Sequence, residues 1–178
     1  ICGMLDGHDF GAAGSRVLLE EFLRGEEASM LALVDGERIL CLPSAQDHKR
    51  IGEGDVGPNT GGMGAYSPAP VVTEDVRRQV IENIMHPVVR ELAKRGITYR
   101  GVLYAGLMIN DQGPRVLEFN CRFGDPETQA VLPRLDVDLA QLLLDCARGH
   151  MRPEDLRVDD KPCVTVVMAA GGYPGRYD

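Results

Sequence analysis

The sequence contains no tryptophan, and aromatic residues make up only 5% of its 178 residues. It also contains no apolar run near the roughly 18 residues needed to span a membrane, and no N-terminal segment typical of a signal peptide. With 44% hydrophobic residues, aliphatic side chains must build the core, and a chain of this size buries roughly two-thirds of its surface. We therefore expect a soluble, cytoplasmic globular domain, alone or with part of another.

Metal-binding and disulfide patterns are also missing. The sequence has five cysteines, Cys2, Cys41, Cys121, Cys146 and Cys163. Their number is odd, they are widely separated, and none forms a C-x-x-C pair, so neither a disulfide framework nor a structural zinc site is predicted. A formal net charge of -8 argues against a general nucleic-acid surface, so a phosphate ligand would need a locally basic site.

Several common catalytic motifs are absent. The chain has no G-x-S-x-G nucleophile elbow, no H-E-x-x-H zinc helix and no G-K-[ST] phosphate loop. Residues 52–57 match G-x-G-x-x-G, but no strand precedes them and Pro58 stands where a helix would begin. A dinucleotide-binding fold is therefore rejected.

The first third of the chain predicts strands and a long loop. Residues 16–23 form an apolar run ending in acids, as expected for a buried strand that leads into a linker. Residues 30–34 and 38–42 form a hairpin around Asp35-Gly36, a dipeptide that suits a type I′ turn. Residues 44–70 contain too many glycines and prolines for a helix or a central strand, so we expect a long functional loop.

Helical spacing begins at Thr73, a predicted N-cap, and continues to Gly96, with a kink near Met85 because Pro87 interrupts the pattern. Strands are predicted at 101–109 and 115–120, which form an antiparallel hairpin, and at 163–170, and a helix is predicted at 138–148. Hairpins thus outnumber helices, and the fold class is α+β, an antiparallel sheet with flanking helices.

Two side chains near the end of the second hairpin suit a metal ion. In a strand, Glu118 and Asn120 point the same way, about 6.6 Å apart, while Leu117 and Phe119 face the core. Mg²⁺ takes a few hard oxygen ligands and leaves its other positions to phosphates and water. The alternative is a polar strand face that meets solvent.

The following loop, 122–127, places a guanidinium, a glycine and two acids beside this pair. Arg122 could hold a phosphate through two parallel hydrogen bonds. In the alternative interpretation, Arg122 forms a surface salt bridge with Asp125 or Glu127, worth at most about 1 kcal/mol.

A second basic segment, 47–50, precedes the glycine-rich loop. Lys49 and Arg50 together with exposed backbone N–H groups could receive a phosphorylated substrate. A solvated charge run is the alternative.

Four segments, 20–27, 46–50, 57–70 and 118–127, closely resemble the phosphoribosylamine-glycine ligase family, which has the ATP-grasp fold. The likeness runs from about residue 10 to the end, in order and with the family's spacing. It implies ATP-dependent joining of glycine to 5-phosphoribosylamine through a glycyl phosphate, giving glycinamide ribonucleotide, ADP and phosphate in purine biosynthesis. It also implies Mg²⁺ or Mn²⁺, small-molecule substrates, no nucleic-acid or membrane partner, and a monomer.

The resemblance assigns roles by position. Glu20 and Leu23 resemble the linker whose backbone reads adenine, with Glu21 and Phe22 between them, and Glu27 resembles the ribose-hydroxyl acceptor. Glu118 and Asn120 resemble the metal ligands, and Arg122 and the Gly124 N–H group are the candidates for stabilising charge on the transferred phosphoryl group. The remaining predicted positions line the substrate pocket: Asp47, Lys49, Asn59, Thr60, Gly61, Gly62 and Asp125.

The resemblance also implies a partial ATP-grasp fold. The chain opens at Ile1 rather than Met and ends soon after a turn-like segment, so we expect a fragment of a longer protein with little ligase activity alone. Residues 1–24 would be a remnant of the small subdomain with the adenine linker, 25–160 the large subdomain, and 161–178 the start of a C-terminal domain. Two alternatives stay open: another ATP-grasp carboxylate-amine ligase, or a noncatalytic nucleotide-binding module.

Overall fold

A computed structural model describes residues 2–7, 10–36, 38–152 and 156–176. Its strands are β1 (Glu26–Asp35), β2 (Ile39–Cys41), β3 (Gln46–Asp47), β4 (Arg50–Gly52), β5 (Val56–Asn59), β6 (Gly64–Ser67), β7 (Arg100–Asn110), β8 (Gly113–Asn120) and β9 (Cys163–Val166). Its α-helices are α1 (Cys2–Leu5), α2 (Glu74–Val80), α3 (His86–Lys94), α4 (Glu127–Val131) and α5 (Leu139–Arg148), with 3₁₀ turns at Gly11–Ser15 and Leu132–Arg134.

The largest sheet has the strand order β2-β1-β7-β8, and all its pairs are antiparallel. The predicted α+β class is therefore confirmed. One face of the sheet, which includes Met30 and Ala105, packs against α2 and α3 through Val80 and Val89. The other face packs partly against α5, whose Leu142 belongs to the same hydrophobic cluster as Leu31 and Leu33.

The predicted hairpin of β1 and β2 is present, but its turn differs. Asp35 belongs to β1, where it pairs with Arg100 of β7. Of the dipeptide Asp35-Gly36, only Gly36 has a positive φ, of 103°. A type I′ turn centred on that dipeptide is therefore wrong, because it would need a positive φ at both residues.

The helical segment begins and ends as predicted. The Thr73 side chain accepts a hydrogen bond from the Val76 N–H, and Gly96 follows the helix with a φ of 77°. The predicted disturbance near Met85 is a π-helical stretch, Ile81–Met85, which separates α2 from α3. It lies just before Pro87, which has no backbone N–H to donate and therefore interrupts the regular α-helical hydrogen bonds.

The glycine-rich segment 44–70 is not simply a loop. It contains β3, β4, β5 and β6, and β6 is the central strand of a second sheet ordered β3-β6-β9. The prediction of no central strand was wrong because Gly64 permits close packing. A Cβ at this position would lie 2.6 Å from the Thr165 carbonyl oxygen of β9. Glycine here lets two backbones approach each other.

Residues 16–23 do not form the predicted buried strand. The segment is extended without strand pairing, and Leu18, Leu19 and Phe22 are 79%, 73% and 84% exposed. An apolar run becomes a strand only where its backbone hydrogen-bonds to a neighbouring strand, and residues 16–23 make no such strand pairing.

The β7–β8 hairpin contains a bulge that changes the direction of its side chains. Leu107 pairs with Val116, but the next pair is Gly106 with Glu118, so Leu117 is an extra residue in β8. The prediction that Leu117 faces the core was wrong, whereas Phe119 lies opposite Ala105 on the core face, as predicted. Leu117, 36% exposed, lines cavities on the opposite side, and Phe119 stays 39% exposed because β8 is an edge strand.

The last predicted elements are present with shorter bounds. Asp138 caps α5 through the Gln141 N–H, and Gly149 ends it in a left-handed conformation. Strand β9 covers only Cys163–Val166, and it shares its sheet with β6. No helix in the described part of the chain has the length and apolar character of a membrane span.

Candidate nucleotide and metal site

Polar side chains gather on the face of the large sheet that α2 and α3 do not cover. Glu27 and Ser29 of β1, Tyr104 and Gly106 of β7, and Glu118 of β8 line one cavity of about 230 Å³, here called the floor cavity. The strand pairing explains this grouping, because Gly106 pairs with both Ser29 and Glu118 across the sheet. Residues that are directly opposite in antiparallel strands share a face.

The bulge at Leu117 turns Glu118 and Asn120 toward this face. Glu118 lies opposite Gly106 and Asn120 opposite Tyr104, and the Asn120 amide donates to Glu118 Oε1 over 3.1 Å. Both side chains are therefore close enough to share one small ion, with the amide turned to present its oxygen. A Cβ at Gly106 would lie 3.2 Å from Glu118 Cγ, so glycine leaves room for the carboxylate.

Lys49 provides the positive charge in this acidic cavity. Its Nζ lies 2.9 Å from Glu27 Oε2 and 3.8 Å from Asp47 Oδ2. Burial alone would lower the pKa of Lys49, but the Glu27 hydrogen bond and the charges of Asp47 and Glu118 outweigh it and raise the pKa. Lys49 therefore stays charged between the predicted ribose acceptor and the predicted metal pair.

Asp47 is the most enclosed acid of this group, with a side chain only 5% exposed. Burial raises the pKa of its carboxyl, the Lys49 charge opposes that change, and the charges of Glu127 and Glu27 add to it. The carboxylates of the cavity therefore repel one another, and a cation in the cavity would relieve the repulsion.

Below the floor cavity lies a buried carboxylate for which no site role was predicted. Glu127, the first residue of α4, is 3% exposed, and its Oε1 accepts from Ser29 Oγ at 2.9 Å and from Tyr104 OH at 2.7 Å. Burial raises the pKa of Tyr104, and Glu127 adds to that effect although Ser29 opposes it. In the sequence, the only indication of a role for Glu127 was its position in the predicted Arg122 loop, 122–127.

The loop that connects β8 to α4 carries the predicted catalytic groups. Arg122 is exposed, and its guanidinium donates to the Phe123 carbonyl oxygen over 2.9 Å. The alternative salt bridge is wrong within the described part of the chain, because Glu127 bonds to the two hydroxyl groups and Asp125 accepts from Gln129. Gly124 is buried against Glu127, and no described feature tests the role predicted for its N–H group.

The predicted adenine linker lies at the outer edge of β8. Glu20, Glu21 and Leu23 line a second cavity of about 180 Å³ together with Arg115 and Leu117. Arg115 forms an ion pair with Glu21, with its Nη2 3.1 Å from Glu21 Oε2. Phe22 points away and is 84% exposed. Leu117 also lines the floor cavity, so the two cavities meet at the bulge. Their roles in nucleotide binding stay predictions.

The predicted substrate residues divide into two groups. Asp47, Lys49 and Asn59 line a third cavity of about 320 Å³, which also includes Glu27. Thr60, by contrast, donates to the Lys49 carbonyl oxygen and accepts from the Gly62 N–H.

The second group continues toward α4. Gly61 donates its N–H to the Tyr173 hydroxyl, and a Cβ at Gly62 would lie 2.4 Å from Pro126 Cδ. The glycines therefore connect this loop to neighbouring segments, whereas Asp47, Lys49 and Asn59 line a cavity. Asp125 is exposed at the near end of α4.

No group of three or more His, Cys, Asp or Glu side chains suited to a metal ion occurs among residues 2–7, 10–36, 38–152 and 156–176. The donor set at this site is instead one carboxylate and one amide, which suits a hard ion that draws its other ligands from phosphates and water. The candidate site thus combines an ion position, one charged lysine and a buried acid.

Comparison with known proteins agrees with this geometry. The sequence profile of the family described as phosphoribosylglycinamide synthetase, ATP-grasp (A) domain, matches residues 1–128. The chain belongs to this family. Over 175 residues the chain is 56% identical to the phosphoribosylamine-glycine ligase of Escherichia coli O157:H7 and 55% identical to that of Pseudomonas aeruginosa. These matches cover 98% of the chain but 41% of each relative, so the chain spans less than half of their length.

Solved structures support the same family. The phosphoribosylamine-glycine ligase of Thermotoga maritima superposes with a TM-score of 0.78 at 39% identity, covering 87% of this chain and 39% of that one. An L-amino acid ligase from Bacillus licheniformis superposes with a TM-score of 0.58 at 18% identity, covering 85% and 37%. The second likeness concerns the fold alone. Part of an ATP-grasp fold is therefore present, as the sequence predicted.

Proposed function

We propose that this chain is part of an enzyme that joins glycine to 5-phosphoribosylamine at the expense of ATP, giving glycinamide ribonucleotide, ADP and phosphate. The observation that carries the proposal is the floor cavity, which Glu118 and Lys49 line beside the predicted nucleotide residue Glu27. Asn120 is hydrogen-bonded to Glu118 at this site. Membership of the synthetase family and the names of the 55–56% identical relatives support this substrate pair.

The reaction needs an activated carboxyl group. A free carboxylate is a poor electrophile, so we propose that ATP first converts glycine to glycyl phosphate, which the amine then attacks. Phosphoryl transfer depends mainly on positioning and on charge neutralisation. Lys49 is placed to neutralise charge inside the cavity. Arg122 is exposed, and its guanidinium would exchange its bond to the Phe123 carbonyl oxygen for one to a phosphate.

A divalent ion fits the site because two hard oxygen donors share a face in a cavity with excess acid. Glu118 and Asn120 would hold it, and Mg²⁺ or Mn²⁺ bound there would supply a fixed positive charge for the ATP phosphates.

We propose the remaining roles as the sequence assigned them. Glu20 to Leu23 would read adenine and Glu27 the ribose, while Asp47, Lys49, Asn59 and the Thr60–Gly62 loop would form the acceptor-substrate pocket. Residues 1–24, 25–160 and 161–178 would be the three structural units, although β9 pairs with β6 and so shares a sheet with the second unit. We also propose a monomeric cytoplasmic enzyme.

The test uses a hybrid ligase, the E. coli O157:H7 relative with its matching 175-residue segment replaced by this chain. The hybrid should form glycinamide ribonucleotide from glycine, 5-phosphoribosylamine and ATP, measured by ADP release and product mass. The isolated chain should bind ATP more tightly in Mg²⁺ than in EDTA and show little turnover.

The outcomes separate the alternatives. A folded hybrid that releases ADP only with another carboxylic acid or amine would indicate a different ATP-grasp ligase. ATP binding without substrate-dependent ADP release would indicate a noncatalytic module. A hybrid with neither property, but with the circular dichroism and melting behaviour of the parent ligase, would overturn the proposed function.

A further inference from the structure

The buried carboxylate of Glu127 connects three parts of the fold. Its Oε1 accepts hydrogen bonds from Ser29 of β1 and Tyr104 of β7, and these two hydroxyl oxygens lie 2.8 Å apart. Glu127 itself begins α4. Since all three side chains are at least 95% buried, water cannot replace these bonds, and the group holds the two central strands and the helix in one arrangement.

This group lies directly under the reacting region. Ser29 and Tyr104 line the floor cavity together with Lys49 and Glu118, and Tyr104 is the cross-strand neighbour of Asn120. Movement of either hydroxyl-bearing side chain would therefore change the surface on which the predicted metal pair rests.

The second carboxylate oxygen of Glu127 faces the loop that carries Arg122. A Cβ built on Gly124 would lie 2.4 Å from Glu127 Oε2 and 3.1 Å from Glu127 Cβ. In addition, the Thr128 hydroxyl donates to the Gly124 carbonyl oxygen. Gly124 therefore rests on the Glu127 side chain, and this contact leaves no room for a larger residue.

We propose that Glu127 is a positioning residue, whose carboxylate anchors the loop 122–126 to the sheet so that Arg122 and Gly124 are held over Glu118 and Asn120. This inference rests on the proposed function for its catalytic consequence. A carboxylate suits the position because one oxygen can accept two hydroxyl protons while the other packs against the loop, and bonds to a charged acceptor are stronger than neutral ones.

The kinetic test compares Glu127→Ala with Glu127→Gln in the hybrid ligase. Glu127→Ala should lower kcat about 10- to 100-fold, because small displacements of catalytic groups have effects of this size, while the KM for ATP changes less than about 3-fold. Glu127→Gln keeps the side-chain length and one acceptor oxygen. If Glu127→Ala lowers kcat 100-fold, the kcat of Glu127→Gln should therefore be at least about 10-fold higher than that of Glu127→Ala.

The matched control is Asp35→Asn. Asp35 is also a buried carboxylate of β1, with bonds to Arg38 and to the Met151 N–H. It lies six residues from Ser29, about 20 Å along the strand. If Glu127 only stabilised the fold, both substitutions would lower the folded fraction and leave the kcat of folded enzyme unchanged.

A second measurement uses the present chain and needs no turnover. Arg122 is an exposed trypsin site in the anchored loop, and Arg24 is an exposed reference site. Under native conditions, Glu127→Ala should raise the rate of cleavage after Arg122 relative to Arg24 at least 5-fold, whereas Asp35→Asn should leave the ratio unchanged.

The two measurements distinguish the possible failures. An inactive wild-type hybrid would reject the proposed function, and the trypsin ratio would still decide whether Glu127 anchors the loop. With an active hybrid, the inference is overturned if Glu127→Ala keeps its kcat, if Asp35→Asn lowers kcat equally, or if the cleavage ratio does not change.

Discussion

The polar side chains on the floor of the sheet form two groups that differ in how their hydrogen bonds are satisfied. Ser29 and Tyr104 of the inner strands and Glu127 of α4 form the inner group, in which the side chains are buried and bond to one another. On the edge strand, Glu118 and Asn120 are more accessible and share a single hydrogen bond. The inner group is committed to the fold, whereas the edge pair keeps lone pairs available for a ligand. The sheet thus separates the residues that maintain the geometry from those that use it.

The largest expected effect comes from removing the edge pair. In the hybrid ligase, Glu118→Ala combined with Asn120→Ala should lower kcat at least about 10³-fold, because a bound metal supplies several kcal/mol of charge stabilisation. The free energy of unfolding should change by less than about 1 kcal/mol, since exposed polar side chains contribute little. Steady-state kinetics and urea unfolding measure the two quantities. Normal turnover, or a large loss of stability, would contradict the view that the edge pair acts in catalysis while the inner group stabilises the fold.

The inner group should show the opposite behaviour. Tyr104→Phe removes one donor to the buried Glu127 carboxylate and should lower the free energy of unfolding by about 1–3 kcal/mol. Tyr66→Phe is the matched control, because the Tyr66 hydroxyl donates to the neutral Gln46 side chain, and it should cost about 0.5–1.5 kcal/mol. Urea unfolding of both variants checks the order. Equal losses would show that the charged acceptor adds nothing.

Chemical labelling sharpens the difference between edge and interior. Cys121 is exposed between Asn120 and Arg122, whereas Cys41 is buried. Burial raises the pKa of Cys41 to about 11, a change that the nearby Arg77 charge partly opposes. At pH 8, iodoacetamide should therefore modify Cys121 about 100-fold faster, and Mg²⁺ with ATP should slow that reaction several-fold. Peptide mass spectrometry follows both sites, with the partly exposed Cys163 as the control that nucleotide should leave unaffected.

The smallest effect concerns the pH dependence of stability. The folded-state pKa of Asp47 is raised, so the folded protein binds its proton more tightly than the unfolded chain does. The Asp47 contribution to stability is therefore most favourable below its ordinary pKa of 3.8 and declines as pH rises through the raised pKa. Relative to wild type, Asp47→Asn should become more stable over that range, measured by urea unfolding at several pH values. A relative stability that falls with pH would contradict the assignment.

Local features of the fold could be predicted from the sequence, because their causes lie within a few residues. Thr73 and Asp138 cap helices through their own side chains, and Gly96 and Gly149 end them with positive φ. The shared direction of the two predicted metal ligands could also be predicted, since Glu118 and Asn120 are two positions apart in one strand. These predictions needed only the period of the backbone.

Features that depend on distant contacts could not be predicted. Ser29 and Glu127 are separated by 98 residues, and neither belongs to a pattern that indicates a hydrogen bond between them. Strand β6 was not predicted because glycine usually interrupts a strand. At Gly64, however, glycine allows the close approach of β9, which lies far away in the sequence. The run at 16–23 does not form the predicted strand, because hydrophobicity alone does not determine whether a segment pairs with a neighbouring strand.

The extra residue at Leu117 has a consequence for how this strand can tolerate change. Val116 and Glu118 are both even-numbered, yet they point to opposite sides because the bulge shifts the alternation between them. If β8 kept Leu117 but lost the bulge, Leu117 would lie opposite Gly106, and the carboxylate and the amide would each move by one position and turn toward the hydrophobic layer. Changes that straighten this strand should therefore be far more harmful than deletion of Leu117, which leaves both neighbouring cross-strand pairs in place.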